Sequence, residues 1–267
     1  MQTIRTEQIG KATVRLVRME GGFAAVAFEG DKRIGPFEDE DPDAAWSFVV
    51  RELGKISPSY FGFDGAKARF LRLFPQGFLG SPFETSERAY KESARQLLID
   101  TMPVEQASQA SAGDWEIIAR VFSKTNMLSQ FEQARTRDVL KGQKGAAFIR
   151  ASAALAGGDL GALSIIADAF RDYGQFSWPA ATYLAYFWRP DTHMFLKPQV
   201  TKDFAERVGH PFASAYSAQP DPKVYEALLS LVSETREELV TLGPRDNIDI
   251  QSFIWVVGAY EGEVAVQ

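Results

Sequence analysis

Hydrophobic and polar positions alternate over residues 13–17, and an apolar run at 23–28 follows the Gly21-Gly22 pair. Residues 32–34 come after a second turn at Gly30-Asp31, so the period of two and the tight turns predict a small antiparallel β-meander. A helix over 44–53 closes this module. The acidic run Glu38-Asp39-Glu40-Asp41-Pro42-Asp43 stands before it, where negative charge and an early proline suit a helix N-terminus.

Beyond Gly54 the apolar spacing turns helical for about two hundred residues. Helices are predicted over 86–98, 115–122, 130–140, 146–155, 160–173, 178–188, 200–208 and 225–242. Residues 249–257 read equally well as a buried strand or a helix. Gly113, Gly142, Gly145, Gly157-Gly158 and Gly174 fall where helices should stop, which predicts many short helices packed at varied angles. The expected fold is mainly α, or α+β overall: a β-meander plus helix over 1–55, then a multi-helix body over 56–267.

Composition narrows the chemistry. Among 267 residues there is no cysteine, which removes disulfides, thiolate metal sites and cysteine nucleophiles. His193 and His210 are the only imidazoles. No cofactor and no metal are expected. The first twenty residues hold no signal-peptide apolar block, and no stretch reaches the roughly 18 apolar residues of a membrane span, so a cytoplasmic chain without a membrane partner is expected.

The formal net charge of -6 is unevenly spread. Residues 120–150 hold seven basic side chains (Arg120, Lys124, Arg135, Arg137, Lys141, Lys144, Arg150) against Glu132 and Asp138. From residue 211 onward three basic residues face nine acidic ones. Such asymmetry permits a phosphate-binding face on an acidic protein, and equally an ordinary solvated surface. The turn Lys141-Gly142-Gln143-Lys144-Gly145 has the two-glycine, basic-centre form of a backbone clamp, but strands are absent around it.

The glycine-containing turn at Tyr173-Gly174-Gln175-Phe176-Ser177 precedes a helix that Ser177 can cap and that Pro179 can open, which predicts a helical hairpin. The run Ser177-Trp178-Pro179-Ala180-Ala181-Thr182-Tyr183-Leu184, then Arg189-Pro190, then Phe204-Ala205-Glu206-Arg207-Val208-Gly209, resembles the hairpin, loop and next helix of helix-hairpin-helix DNA glycosylases. The likeness covers residues 173–209. It implies a hairpin that grips the DNA backbone beside a flipped nucleotide, and an aspartate that assists cleavage of the N-glycosidic bond. Here that aspartate's position holds Pro198, with Lys197 beside it, so the resemblance implies the scaffold more than the site. The tail also resembles segments of uncharacterised bacterial restriction and phage-defence proteins.

Base excision needs a carboxylate to stabilise the departing sugar's charge, or an amine to capture it. Lys197 is the amine candidate, and Asp246 and Asp249 are the carboxylates, Asp249 foremost. Gln251, His193, Trp188, Asp64, Arg88 and Lys91 are candidate substrate contacts. Ser177, Trp178 and Thr182 on the hairpin, with Arg135, Arg137, Lys141 and Lys144, are candidate DNA contacts. Each has a plainer reading: Asp249 as a helix cap, His193 as a structural histidine, and the phenylalanines between residues 60 and 78 as core instead of a base-stacking loop. The expected function is DNA binding with excision of a modified or damaged base, in repair or phage defence. The alternative is a non-catalytic DNA-binding or adaptor protein on the same scaffold.

Overall fold

In the computed structural model, which describes residues 2–9, 11–56 and 62–259, four antiparallel strands are followed by a succession of helices. Strands β1 (Gln2–Ile9), β2 (Ala12–Met19), β3 (Gly22–Glu29) and β4 (Lys32–Asp39) lie side by side in chain order. Glu29 pairs with Lys32 across the two-residue Gly30-Asp31 turn, where Gly30 takes φ +59°, open to glycine at little cost. β1 was missed by the pattern reading for a physical reason. It is an edge strand, exposed at seven of its eight positions, so no buried face imposes alternation on it.

Helix α1 (Pro42–Ile56) begins as its acidic lead-in predicts, with Asp41 accepting a bond from the Asp43 N–H at 2.9 Å. Its Ala45, Trp46, Val49 and Leu53 pack on Val14, Leu16, Ala25, Ala27 and Ile34, a core separate from that of the later helices. α2 (Gly62–Leu73) takes a helical course where a loop was expected, and it supports the core reading of the phenylalanines over base stacking. Phe70, Phe74 and Phe78 are buried, and Phe70 meets Phe78 at 4.8 Å and Phe253 at 5.2 Å. Tyr60 and Phe61, read with them, lie outside the described residues.

The short α3 (Ser81–Phe83) runs through a π-helical turn at Glu84–Arg88 into α4 (Ala89–Thr101). Then come α5 (Val104–Ala107), α6 (Trp115–Ser123), α7 (Gln130–Lys141), α8 (Gly145–Ala156) and α9 (Ala162–Phe170). α10 (Trp178–Trp188) is buried at every position, as an apolar sequence on all sides requires of a central helix. α11 (Pro198–Val208), α12 (Phe212–Ala215), α13 (Pro222–Glu238) and α14 (Asn247–Ala259) complete the body. The ambiguous segment at 249–257 is therefore helical. No helix among the described residues is long and apolar enough to cross a membrane.

Candidate active site

The π-turn and the first turn of α4 face α14, and between them and the α6–α7 turn lies a cavity of about 390 Å³. Ser86, Glu87 and Tyr90 form one wall, Asn126, Met127 and Ser129 a second, and Phe195 and Lys197, on the approach to α11, a third. Gln251 and Trp255, one helical turn apart on α14, close it. Depressions of about 490 and 550 Å³ at the rim of the sheet are larger but more open. They are lined by Phe37, Asp39, Phe48 and Arg51, and by Met19, Phe23 and Glu38, and no buried polar atom with an unmet bond lies among these residues. The more enclosed cavity beside α14 carries the more specific chemistry.

Gln251 is 7% exposed, and its Oε1 is buried with no hydrogen-bond partner. A buried amide oxygen without a partner costs stability, and here it belongs to a residue that lines the cavity. Glu87 is held by Lys91, whose Nζ lies 3.4 Å from Glu87 Oε2 and donates at 2.7 Å to Ser252 Oγ. Burial pushes the Lys91 ammonium down to about 8 against the opposing pull of Glu87. Lys197, at the N-cap of α11, donates at 3.1 Å to the Met127 carbonyl and at 3.1 Å to Glu132 Oε2. Burial would raise the Glu132 carboxyl, but the Ser129 backbone N–H, the Ser129 hydroxyl and Lys197 together hold it below its ordinary value.

Asp246 and Asp249 do not line this cavity. Asp246 caps α14, accepting the Ile248 N–H at 2.9 Å, and forms a two-point pair with Arg88 at 2.8 and 2.7 Å. Asp249, fully buried, takes Arg88 at 2.9 Å and Arg245 at 2.9 and 3.1 Å. Both acids belong to a clamp that fastens α14 to the π-turn, which removes the geometric basis for giving Asp249 or Asp246 the reacting position. Arg88 belongs to the same clamp, and Lys91 stands behind Glu87.

The hairpin residues are likewise turned inward. Ser177 caps α10 through the Ala180 N–H, Trp178 Nε1 donates at 2.8 Å to the Ser217 carbonyl, and Thr182 bonds the Trp178 carbonyl and the Leu196 N–H. All three are buried, so their side chains cannot reach a phosphate. Trp188 donates to the Met102 carbonyl, and His193 spans Leu155 and Thr192. Both are structural. Asp64 is exposed on α2, paired with Lys67 at 3.2 Å, away from the cavity. Arg135 is half-buried beside Gly174, Lys144 is paired with Asp168, and Lys141 sits 5.0 Å over the Trp115 ring. Arg137 is exposed.

Of the candidate residues, then, Lys197 and Gln251 meet in one cavity. Glu87, Tyr90 and Trp255 join them without having been singled out as site residues, and Glu132 stands behind Lys197. The signal was present as two i, i+4 pairs, Glu87 with Lys91 and Gln251 with Trp255. The second is visible only once residues 249–257 are known to be helical. Comparison with family models, curated proteins and solved structures returns no match to this chain.

Proposed function

We propose that the protein binds DNA and excises a modified or damaged base, cleaving the N-glycosidic bond of a nucleotide extruded into the cavity, in the setting of repair or phage defence. The observation that carries this reading is Gln251, whose buried amide oxygen is unmet, in the lining of a cavity walled by Tyr90, Phe195 and Trp255. Flipped bases are read by stacking and by hydrogen bonds to their polar edge, and this cavity offers both.

Lys197 supplies the amine. Glu132, at 3.1 Å, and the Met127 carbonyl orient its nitrogen at the cavity wall, and solvent takes its proton. The freed nitrogen lone pair bonds to C1′ of the sugar as the glycosidic C1′–N pair leaves with the base, and a proton from solvent passes to the departing base. The sugar's C1′–O4′ bond then opens as the nitrogen's proton moves to O4′, giving an imine that borohydride can reduce and that water otherwise hydrolyses, restoring the amine and leaving an abasic site.

The test is incubation with genomic DNA carrying varied base modifications, with detection of free bases, abasic sites and a borohydride-trapped adduct. Lys197→Ala should abolish release and trapping while DNA affinity stays within about 3-fold. Salt-sensitive binding without any base release would instead establish the non-catalytic reading, which the sequestration of Asp246 and Asp249 favours.

A further inference from the structure

Lys197 chemistry makes no use of Glu87, although Glu87 lines the same cavity. Its side chain is 4% exposed and that of Lys91 is 1% exposed. Both belong to one continuous helical run, so their attraction fastens no two elements together. The Lys91 bond to Ser252 could be made by any neutral donor of similar reach. Buried ion pairs are commonly matched or bettered in stability by neutral residues of the same shape, so stability does not account for two charges here. The pair also sits at the π-turn of residues Glu84–Arg88, a distortion that weakens helical hydrogen bonding and recurs at functional sites.

We infer that Glu87 is the residue that selects the base: its carboxylate accepts a hydrogen bond from a ring N–H or exocyclic amino group of the extruded base, and Lys91 is the positioning residue that holds the carboxylate at the wall. An ionised carboxylate can only accept, so it rejects a base whose facing nitrogen is alkylated or presents a lone pair. The amide of Gln251 supplies the second contact. The ligand class is thus a base with an unsubstituted N–H on the edge facing α4. This inference rests on the base-excision reading and adds the selectivity of the same cavity.

The test uses the full chain and duplex oligonucleotides holding one uracil, hypoxanthine or 8-oxoguanine, each beside its ring-N-methyl counterpart (3-methyluracil, 1-methylhypoxanthine, 1-methyl-8-oxoguanine). Wild type should release at least one parent base about 100-fold faster than its methylated form, because a buried acceptor discriminates strongly against a missing donor. Glu87→Gln should slow that release by about 30-fold or more, shrink the discrimination to below about 10-fold, and leave duplex affinity unchanged. Glu87→Gln/Lys91→Met keeps the shape and removes both charges. It should show the same lost discrimination even if the single variant folds poorly. An active wild type whose Glu87→Gln and double variants keep both rate and discrimination overturns the inference and leaves base excision standing. Release of none of the three bases, with the genomic-DNA assay releasing only bases whose facing ring nitrogen bears no hydrogen, overturns the inference alone, while no release in either assay overturns the excision reading and this inference with it.

Discussion

Lys91 holds its charge among groups that water does not reach, and burial lowers its ammonium from 10.5 to about 8. A cationic group with a lowered folded value makes the native state bear the full burial cost below pH 8. As pH rises from 8 towards 10.5, the native state loses the proton while the unfolded chain retains it, so stability rises through that window, by on the order of 3 kcal/mol in all. Tyr183 and Tyr225, whose hydroxyls burial raises, oppose this above pH 10, where only the unfolded chain ionises them. Urea unfolding between pH 8 and 9.5 should therefore show rising stability for the wild type and a flatter profile for Glu87→Gln/Lys91→Met. Lys91→Met alone leaves Glu87 buried without its counter-ion and should cost about 3 to 5 kcal/mol at pH 7, much of it restored in the double variant. Gln251 gives the converse case. Replacing it with Leu removes an unmet buried oxygen and should leave stability unchanged or raise it by about 1 kcal/mol, while base release is lost.

At the scale of elements, α14 is the helix on which the site depends, and its clamp is a matter of charge. Asp249→Asn removes a carboxylate shared by Arg88 and Arg245, leaving two cations short of a partner, and should destabilise the protein by about 3 to 5 kcal/mol. Asp246 contributes with a definite sign. Burial would raise its carboxyl, but the bonds from Arg88 and from the Ile248 and Asp249 N–H groups hold it below 3.8. Its stabilisation is complete above 3.8 and is lost as pH falls through the lower native value, so acid unfolding of Asp246→Asn should be less steep below pH 4. The same helix shows where sequence reading stopped. Ser177, Pro179 and the Asp41 lead-in marked their helices because caps and early prolines act locally. Residues 248–257 carried no such periodicity: nearly all are buried, so apolar positions surround the helix and erase the 3.6-residue signal. α2 was hidden because Tyr60 to Phe63 and the Gly62 and Gly65 positions imitate a loop. The partner of a buried charge was illegible for another reason. Arg88 lies 158 residues from Asp246, and no local rule joins them.

For the whole molecule, the uneven charge matters through where it lies relative to the cavity. The α6–α7 turn that supplies Asn126, Met127 and Ser129 to the wall also lies within the basic stretch at residues 120–150, so chain continuity brings cationic side chains to the border of the site. Not every cation in the stretch is available. Lys144 is paired with Asp168, Arg150 donates to the Ala110 carbonyl, and Lys141 covers Trp115. Arg120, Lys124 and Arg137 are exposed, and Lys124, in the α6–α7 turn, and Arg137, on α7, are open to replace counterions on a phosphate backbone. Each phosphate neutralised contributes about 0.9 to the slope of log K against log salt on duplex DNA. Lys124→Ala/Arg137→Ala should therefore reduce the slope by about 2 and weaken binding to modified and unmodified duplex alike, since phosphate contacts carry no base preference. Arg18→Ala/Arg33→Ala, which removes the same charge from exposed positions on the sheet, controls for net charge and should leave the slope unchanged. If both pairs lower it equally, DNA attraction is a property of overall charge and the face beside the cavity has no special part in it. A fall confined to the first pair would place a bound duplex against the α6–α7 turn, beside the cavity lined by Gln251 and Lys197.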